Sequence, residues 1–258
     1  MFSAGVERKP AVNRGRVLEP SIDAGVSAFV HRVAELWDHH LGQRLAGVYL
    51  IGSLAHGGYS ARYSDIDIAL IADDVLSSGE IDTVHANAAA HSAELAARYS
   101  LFWANAKFSA GRFPPLDRVD YLDHAVPLLQ RRHLEPERPS LAEIRGYLSG
   151  EPLRRWSQQV TGLNTLAVLP VDDHKRYLRA LLYPARFVYS WETGNIASND
   201  RAVAYVASRG LLGPDIDIVA RALRCRNAGS DPGHLFPERQ RLLRLLEICT
   251  SVSGGAEL

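Results

Sequence analysis

The chain has 258 residues, 47% of them hydrophobic, which is enough to bury a sizeable core as one large domain or two modest ones and argues against disorder. Its 29 basic and 29 acidic residues cancel, so no overall field recruits nucleic acid or an anionic membrane. Two cysteines, Cys225 and Cys249, are too few for a disulfide framework; they fit a reducing compartment and read as small core residues.

Residues 1–20 read as a loose N-terminal arm with no apolar core of a signal peptide. No window reaches the roughly 18 uninterrupted apolar residues of a membrane helix, so a soluble cytoplasmic chain with no membrane partner is expected. From Ser21, placed to cap it, "SIDAGVSAFVHRVAELWDHHLGQ" carries Val26, Phe29, Val30, Val33, Leu36 and Trp37 at helical spacing. Next come two strands, "LAGVYLIGS" and "DIDIALIA"; in the second, Ile66, Ile68 and Leu70 alternate with Asp65, Asp67 and Ala69. An alanine-rich helix capped by Ser78 or a neighbour leads to a third strand, "SLFWANAKF". The stretch "RFPPLDRVDYLDHAVPLLQRR" reads as extended, with a turn near Asp123 and His124, because its prolines argue against a helix start and Val119, Tyr121 and Val126 favour sheet. After Pro139, "SLAEIRGYLSG", "VDDHKRYLRALLYPARFVYSWETG", "SNDRAVAYVASRG", "PDIDIVARALRCRNAG" and "PERQRLLRLLEICTSV" are successive helices, the second of them expected to kink at Pro184. The predicted architecture is α+β: a domain over 21–139 with a mixed sheet flanked by helices, and an all-helical bundle over 140–258.

Residues i and i+2 of a strand point to one side, so Asp65 and Asp67 present their carboxylates together. Two such charges repel unless a cation sits between them, and Mg²⁺, which combines few carboxylates with phosphate oxygens, is the default. Upstream, Gly52 permits a sharp turn, Ser53 offers a hydroxyl and an N–H, and "SLAHGG" can open a short helix toward an anion. His56 in that loop is as readily solvated as bound to phosphate. His39, His40, His85 and His91 have no zinc-site spacing.

The stretch "GSLAHGGYSARYSDIDIALI" resembles the signature of the nucleotidyltransferase superfamily, the fold shared with DNA polymerase beta. The resemblance implies two Mg²⁺ ions and a nucleoside triphosphate, with Gly52 and Ser53 on the triphosphate, Ser64 on the turn or a phosphate, and Asp65 and Asp67 on metal. A third metal-binding and catalytic carboxylate is implied on a later strand, for which Asp120 is preferred over Asp117 and Asp123. A second stretch, "LLYPARFVYSWETGNIASNDRAVAYV", is similar to the helical domain of the streptomycin and spectinomycin adenylyltransferases. Relatives carry a lysine where this chain has Asn199, so Arg201 is the substitute expected at the phosphates, although arginine and lysine bind them differently. The family's glutamate base has no obvious counterpart, which brings Asp120 into consideration for that role.

The function implied is Mg²⁺-dependent transfer of a nucleoside monophosphate, AMP from ATP, to a hydroxyl of an aminoglycoside-type antibiotic. Such a polycation would meet acids and aromatic faces, for which Trp103, Asp172, Asp173, Tyr189 and Glu192 are the candidates. A toxin-like enzyme acting on tRNA or a protein hydroxyl is the alternative, and only it brings nucleic acid in as a partner. It predicts a basic groove, hinted at by Arg131-Arg132 and Arg154-Arg155. A module that binds ATP without transfer is a third reading.

Overall fold

A computed structural model describes residues 23–254, so the expected arm over 1–20 and the expected cap Ser21 lie outside the described residues. Asp23 caps α1 (Ala24–Leu41) instead, its carboxylate accepting from the N–H groups of Gly25 and Val26. The chain continues through β1 (Leu45–Leu50), a single turn α2 (Ser53–His56), β2 (Ile66–Ala72), α3 (Ser78–His91), α4 (Ala93–Ala96), β3 (Tyr99–Asn105) and β4 (Gly111–Arg112). Then follow α5 (Pro115–His124), β5 (Val126–Gln130), α6 (Leu141–Ser149), α7 (Glu151–Thr165) and α8 (His174–Thr193). The last helices are α9 (Asn199–Ser208), α10 (Ile216–Ala228) and α11 (Arg241–Val252).

The sheet is mixed, in the order β4-β3-β2-β1-β5, with β2 and β3 parallel and the other pairs antiparallel. Period-2 alternation divides β2 between two cores. Ile66, Ile68 and Leu70 pack with the apolar stripe of α1 and with Val84 and Ala88 of α3. Ala69 and Ile71 face the other side with Tyr49 and Tyr121. Asp67 shares the strand face of Ala69 and Ile71, so whatever covers that face lies beside the carboxylate. A capping box between Ser77 and Glu80 starts α3, and the helical stretch expected to run on to Tyr99 breaks at Ser92.

Residues 113–125 depart from the extended reading. Pro114 is the N-cap of α5 and Pro115 stands in its first turn, where a missing N–H costs nothing and the fixed φ already suits a helix. The prolines that argue against a helix interior thus mark a helix start, and only Val126–Gln130 pairs as a strand, with β1. Helix α7 is also absent from the sequence reading. It follows directly on Gly150 and buries Leu153, Trp156, Val160 and Leu163 along one face.

The helices after 140 form one apolar cluster around α8, and Tyr63 and Val119 from the first half belong to it. Helix α8 runs unbroken through Pro184. Pro184 cannot donate to the carbonyl of Ala180, and the indole Nε1–H of Trp156 donates to that oxygen at 3.1 Å. Cys225 and Cys249 are buried in this cluster as free thiols. Among the described residues no helix is long and apolar enough to cross a membrane.

If the indole replaces the bond that Pro184 forfeits, Trp156→Phe should lower stability by about 1–2 kcal/mol in urea unfolding. Adding Pro184→Ala, which restores a donor to Ala180, should recover part of that loss.

Candidate active site

Between the sheet and the helical cluster lies a cleft of about 590 Å³. Its floor begins where β1 ends. Gly52 turns the chain with φ 67°, and a Cβ built there would come within 2.3 Å of Asp67 Oδ2, so the position requires glycine on two grounds. The Gly52 N–H donates to Asp120 Oδ2 at 2.6 Å, while Ile51 N–H donates to the Asp67 carbonyl at 3.1 Å. The turn, β2 and α5 are therefore fastened at one point. Ser53 follows at the start of α2 and lines the cleft.

Asp117 and Asp120 stand one helical turn apart on α5, so both reach the cleft that an extended strand would have shown to only one of them. Asp120 is only 2% exposed, and its Oδ1 is buried without a hydrogen-bond partner. Asp117 is more open. Burial pushes both carboxyls up to about 7; the charge of Asp67 adds to the shift at Asp117, and at Asp120 the Gly52 N–H opposes it. Asp67 is raised to about 6 by burial and then by Asp65. Asp65 faces a different environment: Lys175 Nζ lies 2.5 Å from its Oδ1, and Arg179 Nη1 3.4 Å from its Oδ2.

These cations come from α8. Lys175, Arg179 and Arg186 are spaced 4 and 7 residues apart, which brings them to one side of the helix. Arg186 lines the cleft, and burial by the surrounding protein lowers its pKa. His56 is lowered to about 4 by burial and then by Arg186, so it is neutral near pH 7, with His124 at 5.7 Å between ring centres. The basic face of α8 was missed in the sequence, although three cations at helical spacing in one amphipathic pattern were the signal for it.

Among the described residues no three His, Cys, Asp or Glu side chains converge closely enough to hold a metal by themselves. Asp65 and Asp67 line the cleft together, and Asp120, expected with them, gives one carboxylate oxygen to the Gly52 amide. Two neighbouring carboxylates, one of them raised toward neutrality by burial and then by the other, suit a hard cation that takes its remaining ligands from phosphate.

Of the other expected contacts, Ser64 lines the cleft and the rest lie away from it. Ser64 is built into the loop: its hydroxyl accepts from Ser60 N–H and from Arg226 Nη2, the latter at 2.6 Å. Arg201 lies over the ring of Tyr189, which is buried in the helical cluster, and does not line the cleft. Glu192 accepts from Tyr205 Oη at 2.6 Å, Trp103 sits on β3 opposite Arg112, and Asp173 lies 3.4 Å from Arg176. Asp172 precedes it in a single exposed turn. None of Trp103, Asp172, Asp173, Tyr189 and Glu192 lines the cleft.

A Gly-Ser turn leaving one strand, an Asp-x-Asp pair on the next, and a helical half closing over both make up a two-part fold that has a solved counterpart. The solved structure of spectinomycin adenyltransferase AAD(9) from Enterococcus faecialis with ATP and spectinomycin is similar over 87% of this chain and 99% of that one, at a TM-score of 0.66 and 12% identity. No protein-family model matches the chain, and no curated protein matches it.

The raised carboxyls carry a pH signature. In the folded state Asp117 keeps a proton that the unfolded chain loses near 3.8, so between about pH 4 and 7 its contribution to stability falls as pH rises. Asp117→Asn should therefore gain stability relative to the unsubstituted protein across that window, read as a growing difference in urea midpoint. A constant difference would contradict the shift.

Proposed function

We propose that the protein transfers a nucleoside monophosphate, AMP from ATP, to a hydroxyl of a small molecule and releases pyrophosphate. The observation that carries this is the convergence of Gly52, Ser53, Asp65, Asp67 and Asp117 on one cleft floor. Asp65 and Asp67 would hold Mg²⁺, which when bound supplies positive charge to the triphosphate and lowers the cost of charge build-up on the α-phosphate. Gly52 and Ser53 receive the triphosphate at the end of β1, and Arg186 faces it from α8. Lys175 and Arg179, within reach of Asp65, supply cationic charge beside the paired acids.

Asp117 accepts the proton of the attacking hydroxyl, since it is the more open of the two acids on α5. Asp120 keeps the Gly52 amide in place. The acceptor oxygen attacks the α-phosphorus in line, the bond from phosphorus to the bridging oxygen breaks, and pyrophosphate departs. Positioning and electrostatics do most of this, with no covalent enzyme intermediate.

An aminoglycoside-type acceptor draws support from the likeness to the spectinomycin enzyme, but not from the cleft, which the acids expected to meet it do not line. The tRNA alternative needs a basic groove. Three of its four supposed elements are matched by acids: Arg131 pairs with Asp38, Arg132 with Asp73, and Arg155 with Glu151.

Mass spectrometry of the protein with Mg²⁺, each of the four nucleoside triphosphates and a panel of hydroxyl compounds including spectinomycin and streptomycin tests the reaction. The expected result is an acceptor heavier by one nucleoside monophosphate, lost in Asp65→Ala/Asp67→Ala. Absence of both adduct and pyrophosphate across a broad panel would overturn the proposal. Asp117→Asn should lower kcat by about 10²–10⁴-fold while leaving nucleotide affinity nearly unchanged. Asp120→Asn should weaken nucleotide binding as well, because it acts through the turn.

A further inference from the structure

The end of the cleft beyond Asp117 is walled by Arg112, Leu116, Tyr147, Trp156 and Tyr183. These residues are mutual neighbours: Tyr147 feels the charges of Asp117, Glu151, Arg155 and Arg112, and the Trp156 and Tyr183 rings stack at 4.7 Å. Trp156 is held in place by its bond to the Ala180 carbonyl. The Tyr183 hydroxyl is buried without a hydrogen-bond partner.

The charges at this end are unequal. Glu151 is paired with Arg155. Arg112 lies over the Phe102 ring at 5.3 Å and forms no ion pair among the described residues. The acids of the floor are already engaged: Asp65 by Lys175 and Arg179, and Asp120 by the Gly52 amide. A polyammonium compound would find aromatic faces here but would sit against the guanidinium of Arg112, which no ion pair neutralises among the described residues.

We propose that the acceptor of the transfer is a hydroxyl compound with an apolar or aromatic body and an anionic group, carboxylate or phosphate-like, that pairs with Arg112. This rests on the transferase reading of the same cleft. The flat body lies against Tyr147, Trp156 and Tyr183, the anion meets Arg112, and the hydroxyl is directed toward Asp117. Arginine suits such an anion because its planar fork can donate two parallel hydrogen bonds.

The test holds the aromatic body constant and varies its charge. Binding to the full chain is measured by tryptophan fluorescence without nucleotide, using tyramine, methyl para-hydroxyphenylacetate, para-hydroxyphenylacetate and para-hydroxybenzylphosphonate, with spectinomycin alongside. The two anions are expected to bind at least tenfold more tightly than tyramine or spectinomycin, and their ranking separates a carboxylate from a phosphate-like group. Arg112→Gln should abolish that preference without changing affinity for the neutral ester, and Arg112→Lys should restore part of it. Equal or tighter binding of tyramine or spectinomycin would overturn the proposal, as would a preference that survives in Arg112→Gln. Because no nucleotide is present, this outcome stands whether or not the transfer assay succeeds. A protein that binds the anions but forms no adduct would retain this subsite and lose the transferase reading.

Discussion

The structure around the cleft depends on one crowded contact, the approach of Gly52 to Asp67 and Asp120. The turn after β1 passes so near β2 that any side chain at Gly52 would strike the Asp67 carboxylate. The same glycine's N–H is spent on Asp120 from α5. A backbone donor held by a buried acid fixes a loop more tightly than packing alone, because leaving either partner unpaired in the interior is costly. Strand, turn and helix thus share one reference point, and the carboxylates of the floor inherit their geometry from it.

Charge across the cleft is arranged by the second half of the chain. Helix α8 lays Lys175, Arg179 and Arg186 against a floor of acids, so each half presents what the other lacks. Asp65 is matched directly, whereas burial and neighbouring acids raise Asp67 and Asp117. A cation and a triphosphate arriving together would relieve both conditions, giving the acids a positive partner and the basic helix face a negative one. Loop 57–65 ties the halves together further, with Arg226 of α10 donating to the Gly58 carbonyl and Tyr63 to that of Ser230.

Much of the floor was legible in the sequence because its signals are local. Glycine followed by serine at a strand end, and aspartates at alternate strand positions, state their conformation within a few residues. The segment in which the third acid is sought is a helix and not the extended run its residues suggest. Pro114 and Pro115 were weighed as breakers although proline is favourable in a first turn, and the error concealed that Asp117 and Asp120 share a side. Helix α7 was passed over although Leu153, Trp156, Val160 and Leu163 recur at helical spacing. Tyr189 and Glu192, expected at the acceptor, and Arg201, expected at the phosphates, are instead linked to one another through Tyr205 and the Tyr189 ring.

By itself the sequence determined the α+β order, the strand pair with its glycine turn, and the paired carboxylates, all set by dihedral preferences and short periodicities. Only the tertiary structure decided which acid is buried and tied, which cations meet Asp65, and what lines the acceptor end. Those outcomes come from contacts between segments far apart in the chain, such as Lys175 with Asp65 and Trp156 with Ala180 beneath Pro184. Such contacts exist only once the helical half has closed over the sheet, and no local pattern encodes that closure.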